Sequence, residues 1–144
     1  MHNEYLPFFR QYLQQLHDEI AAYGDESKIW LCPTGINNSA GNLCFHLVGN
    51  LQHFFGFALG NTGYVRNREE EFAIQDVPKA RLLEMVKDTL DMLENTLPKI
   101  PDYSAPYPPG LLPGDGSIQL VTNRLLAHLG YHVGQVNYHR RLVG

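Results

Sequence analysis

Three histidines fall within the twelve residues from His128 to His139, and His128 and His132 stand i, i+4 in a stretch rich in Leu, Val and Gly. If that stretch is helical, the two imidazoles lie one above the other on a single face. Imidazoles one turn apart can bind one divalent ion through metal–nitrogen bonds of roughly 2.0 to 2.1 Å, provided that another element completes the ligand set. His46, in the other strongly apolar stretch, is the natural third donor. Three nitrogen ligands leave a fourth position open, as in catalytic rather than closed structural sites.

Histidines at this spacing also occur on helix surfaces or as hydrogen-bonded core residues, so the neighbouring residues matter. The face of His128 and His132 continues through Val121, Leu125, Gln135 and His139, an apolar stripe that turns polar. Each polar group buried there without a partner would cost about 1 to 3 kcal/mol, and a shared ion would satisfy several together. The helix of His46 repeats the pattern with Leu43, Asn50, His53 and Phe57. Asn50 and Gln135 lie about one turn from candidate ligands, where they can orient an imidazole or simply bridge helices. His53 and His139 lie about two turns, roughly 10.5 Å, along their helices, too far to share the ion. They are expected to be exposed, with a place at the pocket rim or behind a ligand as alternatives; His2 and His17 are expected at the surface.

These residues need helices to position them. From about Tyr5 to Tyr23, Leu6, Phe9, Leu13, Leu16 and Ile20 recur at helical spacing, with Gly24 where a C-terminal cap would lie. Residues 25–38 read as a loop that pins Trp30 and Leu31 to the core. Ser39 then caps a helix running to about Leu59, ended by Gly60-Asn61-Thr62-Gly63. A long polar connection over 61–77 carries Arg66 and Arg68, which read as solvated charges or as a handle for an anionic substrate group. Asp76 and Pro78 open a third helix ending near Leu97-Pro98, and five prolines keep the stretch from Lys99 to Gly116 out of helix. Tyr103 and Tyr107 in it either roof the site or form a surface strap. Ser117 caps the fourth helix, which runs to about Leu142. The pattern predicts an all-α four-helix bundle with two long connections, one domain over residues 1–144. Gly130 and Gly134 inside the fourth helix suit close approach of another helix or of a second subunit.

Composition narrows the partners. The chain of 144 residues carries a net charge of −4 with 11 scattered Lys and Arg, so it has no basic stripe for nucleic acid. Its longest apolar window is broken by His46, Asn50, Gln52 and His53, which argues against a membrane span. No signal peptide is evident, Cys32 and Cys44 match no redox or zinc-ribbon spacing, and the expectation is a cytoplasmic protein with reduced thiols.

The segments HLVGNLQHFFGF and, more strongly, LLAHLGYHVGQVNYHRRL resemble the DinB/YfiT-like superfamily, whose closing His-x3-His-x2-Gln pattern the second one matches. With the helical organisation, the resemblance spans nearly the whole chain. It implies a four-helix bundle, often dimeric, with a divalent metal held by histidines that match His46, His128 and His132. Characterised relatives include S-transferases and isomerases that use low-molecular-weight thiols, although no position here carries thiol specificity. The HExxH protease motif is absent, since Leu129-Gly130-Tyr131 replaces its glutamate. The leading expectation is a thiol-dependent S-transferase or related small-molecule transferase using zinc or nickel, with a low-molecular-weight thiol as cosubstrate, acting as a homodimer. Hydrolysis by metal-bound hydroxide and a non-catalytic, metal-stabilised binding or stress-response module are the alternatives.

Overall fold

The computed structural model describes residues 3–112 and 116–144; His2 and Pro113, the last of the five prolines counted above, lie outside them. Helix α1 (Leu6–Ala21) starts with Pro7 in its first turn, where a missing N–H costs nothing, and buries Phe9, Leu13, Leu16 and Ile20. Helix α2 (Ala40–Leu51) is capped by Ser39, which accepts from the Asn42 N–H. It continues through one stretch of π-helix (Gln52–Phe57) and a last turn (Ala58–Gly60). The expected inward residues Leu43, Leu47, Leu51, Phe54 and Phe55 are all buried. A short helix α3 (Arg68–Ala73) follows, capped by Asn67. Helix α4 (Lys79–Thr96) buries Leu82, Val86 and Leu93, and α5 (Ile118–Val143) starts from the cap Ser117, which accepts from the Leu120 N–H.

Among the described residues the fold is thus all-helical with five helices, and the only bridge is an isolated one between Pro106 and Ser117. Helix α1 packs on α4 and α5, and α2 packs on the same two, so the four long helices enclose one core. Within it the Phe9 and Phe55 rings meet edge to face, 5.4 Å between centroids. Each large apolar side chain fully removed from water contributes about 1.5 to 3 kcal/mol, and Leu16, Leu47, Leu93 and Leu129 come from four different helices. Among the described residues no helix is long and apolar enough to cross a membrane.

Local details depart from expectation where tertiary contacts decide. Ala22, in right-handed conformation, ends α1, so Gly24 is not its cap. The loop after α1 holds a 3-10 turn (Glu26–Trp30) that buries Trp30 but leaves Leu31 exposed. Asn61, at φ 51°, supplies the left-handed end of α2's last turn, and Asp76 is likewise left-handed rather than a cap, since Pro78 holds the N-cap position of α4. The polar connection is not all loop: the buried Asn42 amide donates to Glu71 O at 3.1 Å and Ile74 O at 2.8 Å, tying α3 to the start of α2. Two tyrosines tie the proline-rich connection to the bundle: Tyr107 donates to Phe54 O at 2.7 Å and Tyr103 to Leu97 O at 3.1 Å.

Candidate metal centre

Helix α2 presents His46, and α5 presents His128 and His132 one turn apart, so three ring nitrogens from two helices lie within 4.8 Å of one another. The contacts are through Nε2: His128 Nε2 stands 3.1 Å from His46 Nε2 and 3.1 Å from His132 Nε2. His46 is buried, while His128 and His132 are half-buried and face solvent on one side. The far nitrogens explain which atoms carry the protons. His46 Nδ1 lies 3.1 Å from Glu71 Oε1, and a carboxylate can only accept, so the proton sits on Nδ1. His132 Nδ1 donates to Gln135 Oε1 at 2.6 Å in the same way. Both leave Nε2 as a bare lone pair aimed at the cluster.

His128 shows what the cluster lacks. Its Nδ1 is buried and has no hydrogen-bond partner, and its Nε2 faces two lone pairs. One proton on a neutral ring cannot satisfy these positions together. A cation satisfies the three Nε2 atoms together, and a tetrahedral ion with bonds of about 2.1 Å sets its nitrogens about 3.4 Å apart, near the observed spacing. Burial, with His132, His46 and Arg66 adding to it, pushes His128 down to about 4. Burial likewise lowers His132, against the Gln135 hydrogen bond. These two rings therefore stay uncharged and ready to ligate at neutral pH.

The support behind His46 was not read from the sequence. Glu71 sits in the run Glu69-Glu70-Glu71, which reads as solvated, yet it is only 4% exposed. Arg66 clamps its carboxylate with two hydrogen bonds, Nε to Oε2 at 2.8 Å and Nη2 to Oε1 at 3.0 Å. Burial opposes ionisation, but the hydrogen bonds from His46 and Arg66 prevail and hold the carboxyl below its usual range. Gly49 makes room for it, since a Cβ there would stand 1.9 Å from Glu71 Oε2. A mid-helix glycine costs about 1 kcal/mol against Ala, and here the missing side chain is the space Glu71 occupies.

The other candidates separate. The exposed Gln135 holds His132 as the spacing suggests, whereas the buried Asn50 makes no such bond and its Oδ1 has no partner. Arg66 is committed to Glu71 and so is not a free handle for a substrate anion; Arg68 lies over the Phe72 ring, 5.7 Å from its centroid. His53 is half-buried and stacked on Phe57, 5.5 Å apart. His139 corrects the expectation of exposure: it is 4% exposed, its Nε2 donates to Leu31 O at 2.8 Å, and the Tyr23 hydroxyl donates to Nδ1 at 2.6 Å. His17 is half-exposed beside Asp18. Gly130 faces Tyr12 of α1, so its smallness serves packing within the chain, while nothing lies near Gly134. Phe72, 4.9 Å from His46, and Tyr131, 5.1 Å from His132, flank the cluster with aromatic rings.

An all-helical protein with three imidazoles converging from two helices is one able to hold a metal ion at its surface. The chain belongs to the family DUF1572, described as a protein of unknown function, whose model matches residues 2–144; it is a DinB-like family. Neither a curated protein nor a solved structure matches the chain.

Proposed function

We propose that this protein is a metal-dependent enzyme of the DinB-like four-helix-bundle type, in which His46, His128 and His132 hold a zinc or nickel ion. Its reaction on this reading is transfer of a group between a low-molecular-weight thiol and a small-molecule substrate. The observation that carries it is the convergence of three imidazoles from two helices, with His128 Nε2 at 3.1 Å from the Nε2 atoms of both His46 and His132. A bound ion of this kind supplies a nucleophile at neutral pH by lowering the pKa of a thiol or water beside it. The chain's own residues do the rest. Glu71 and Gln135 fix the ring orientation of His46 and His132, which keeps the two lone pairs aimed at one point. Arg66 keeps Glu71 ionised and in place. Phe72 and Tyr131 border the cluster with apolar surface, and the half-exposed His128 and His132 leave it open to a small molecule.

The test begins with metal content per chain by mass spectrometry on tag-free protein. Wild type should carry near-stoichiometric metal, and folded His128→Ala and His132→Ala variants should carry none. The loaded protein should then turn over activated electrophiles only when a thiol is added. Unchanged metal in both variants would overturn the ligand assignment. Hydrolysis of activated esters indifferent to thiols would replace transfer with hydrolysis.

A further inference from the structure

A cavity of about 330 Å³ opens one helical turn from the histidine cluster. The two helices that carry the ligands also form its walls: Leu43 of α2 stands three residues before His46, and Gln135 of α5 three residues after His132. Gln135 belongs to both places, because its Oε1 holds His132 Nδ1 while its side chain lines the cavity. The remaining side is the loop before α2. There Ile36 N–H closes a turn on Pro33 O at 2.9 Å, and Gly35, at φ 85°, takes the position that demands a left-handed residue. That turn sets Ile36, Asn37 and Asn38 over the end of α5.

The chemistry of the lining defines what fits. Leu43, Ile36 and Leu142 are aliphatic, and Tyr138 offers an aromatic face. Tyr138 and Leu142 are 72% and 62% exposed and give the opening of the cavity an apolar side. Polar groups are confined to the amides of Asn37, Asn38 and Gln135 and to His139, whose two ring nitrogens are both engaged by Leu31 O and Tyr23. No Asp, Glu, Lys or Arg lines the cavity. Arg141 stacks on Tyr138, 4.6 Å from its ring centroid, but is not part of the lining.

We infer that this cavity is the substrate pocket of the metal centre and that it selects an uncharged small molecule with an apolar or aromatic body and an amide-like or hydroxyl polar end. The assignment rests on the metal-dependent reading of the three histidines for its chemistry. The body lies between Leu43, Ile36 and Tyr138, and the polar end meets the Asn37, Asn38 and Gln135 amides, which orient it beside His132. A charged group would enter this wall without a counter-charge and is disfavoured for that reason.

Zinc-loaded protein titrated with benzamide, benzoate and benzylammonium, followed by backbone amide NMR, tests it. Benzamide should shift the resonances of Ile36, Asn37, Gln135 and Leu142 saturably, at concentrations about tenfold below those needed for either ion. The surface variants Leu142→Arg and Ile36→Arg should abolish those shifts while keeping the zinc content of wild type. Equal or tighter binding of the ions at these resonances, or silence there toward all three probes, overturns the proposal. So does a wild-type dimer that Leu142→Arg dissociates and whose cavity ignores the probes, because the apolar face would then belong to a second copy. Benzamide binding in a wild type that takes up no zinc supports the cavity's ligand class while removing the metal reading, so the two failures are distinguishable.

Discussion

Replacing Gly49 by Ala puts the link between helix packing and the metal centre to a quantitative test. The new Cβ would stand 1.9 Å from Glu71 Oε2 and 2.7 Å from Glu71 Cδ, short of an ordinary contact by roughly 1.5 Å. Both neighbours are the carboxylate end of Glu71, so the carboxylate must leave. Its departure strands the Arg66 guanidinium and the His46 Nδ1–H. Breaking a buried pair by removing one partner costs about 3 to 5 kcal/mol. Alanine returns about 1 kcal/mol of helix propensity, leaving a net loss of about 2 to 4 kcal/mol. For a chain of this length that is a fall in melting temperature of about 10 °C in metal-free protein. Loss of the His46 partner should also weaken zinc binding by about 10- to 100-fold, read by competition with a chromophoric chelator. A double-mutant cycle isolates the cause: in a Glu71→Ala background, Gly49→Ala should be neutral or stabilising by up to about 1 kcal/mol. The same loss in both backgrounds, or a stable Gly49→Ala protein with wild-type zinc affinity, refutes the packing argument.

Two further outcomes follow from contacts away from the cluster. Asn42→Ala removes the two hydrogen bonds that tie α3 to α2 and leaves the Glu71 and Ile74 carbonyls unpaired; urea denaturation should show a loss of about 2 kcal/mol, with zinc affinity falling because Glu71 is no longer held. Burial raises the Glu19 carboxyl, but hydrogen bonds from Arg140 and Asn137 outweigh it and the net shift is downward, so Glu19 contributes stability that is present above its unfolded value of 4.5 and is lost as pH falls through its folded value. Glu19→Gln should therefore flatten the acid side of the stability–pH curve below about pH 4.5, and an unaltered slope in the variant would count against the pair.

What the sequence makes legible here is short-range. The four long helices follow from apolar residues three and four apart, and Ser39 and Ser117 act as caps because a hydroxyl two or three residues from a free N–H needs no distant partner. His128 and His132 meet for the same reason. His46 joins them across 82 residues, and the only warning of it was a second polar spot on an apolar helix. The helix α3 carried a local sign that a reading of the 61–77 segment as loop passes over: Asn67 stands three residues before Glu70, caps its N–H and donates to its carboxylate. His139 looked free because its partners, Tyr23 and Leu31, come from a loop more than 100 residues earlier.

Glu71 is the case in which composition misleads outright. Three successive glutamates are a solvated run by every local criterion, and what buries the third is a vacancy in another helix. The signal that was available lay in Gly49, 22 positions before it, a residue that weakens an apolar helix without marking a turn or an end. A glycine in that setting implies that something approaches the backbone closely. Near an unpaired histidine, an acid held by an arginine is the occupant that makes chemical sense, since it can take the imidazole proton and free the other nitrogen as a ligand. The position of the candidate metal centre is thus set by helical periodicity, whereas the orientation of His46 in it depends on a carboxylate whose place is set by the absence of one side chain.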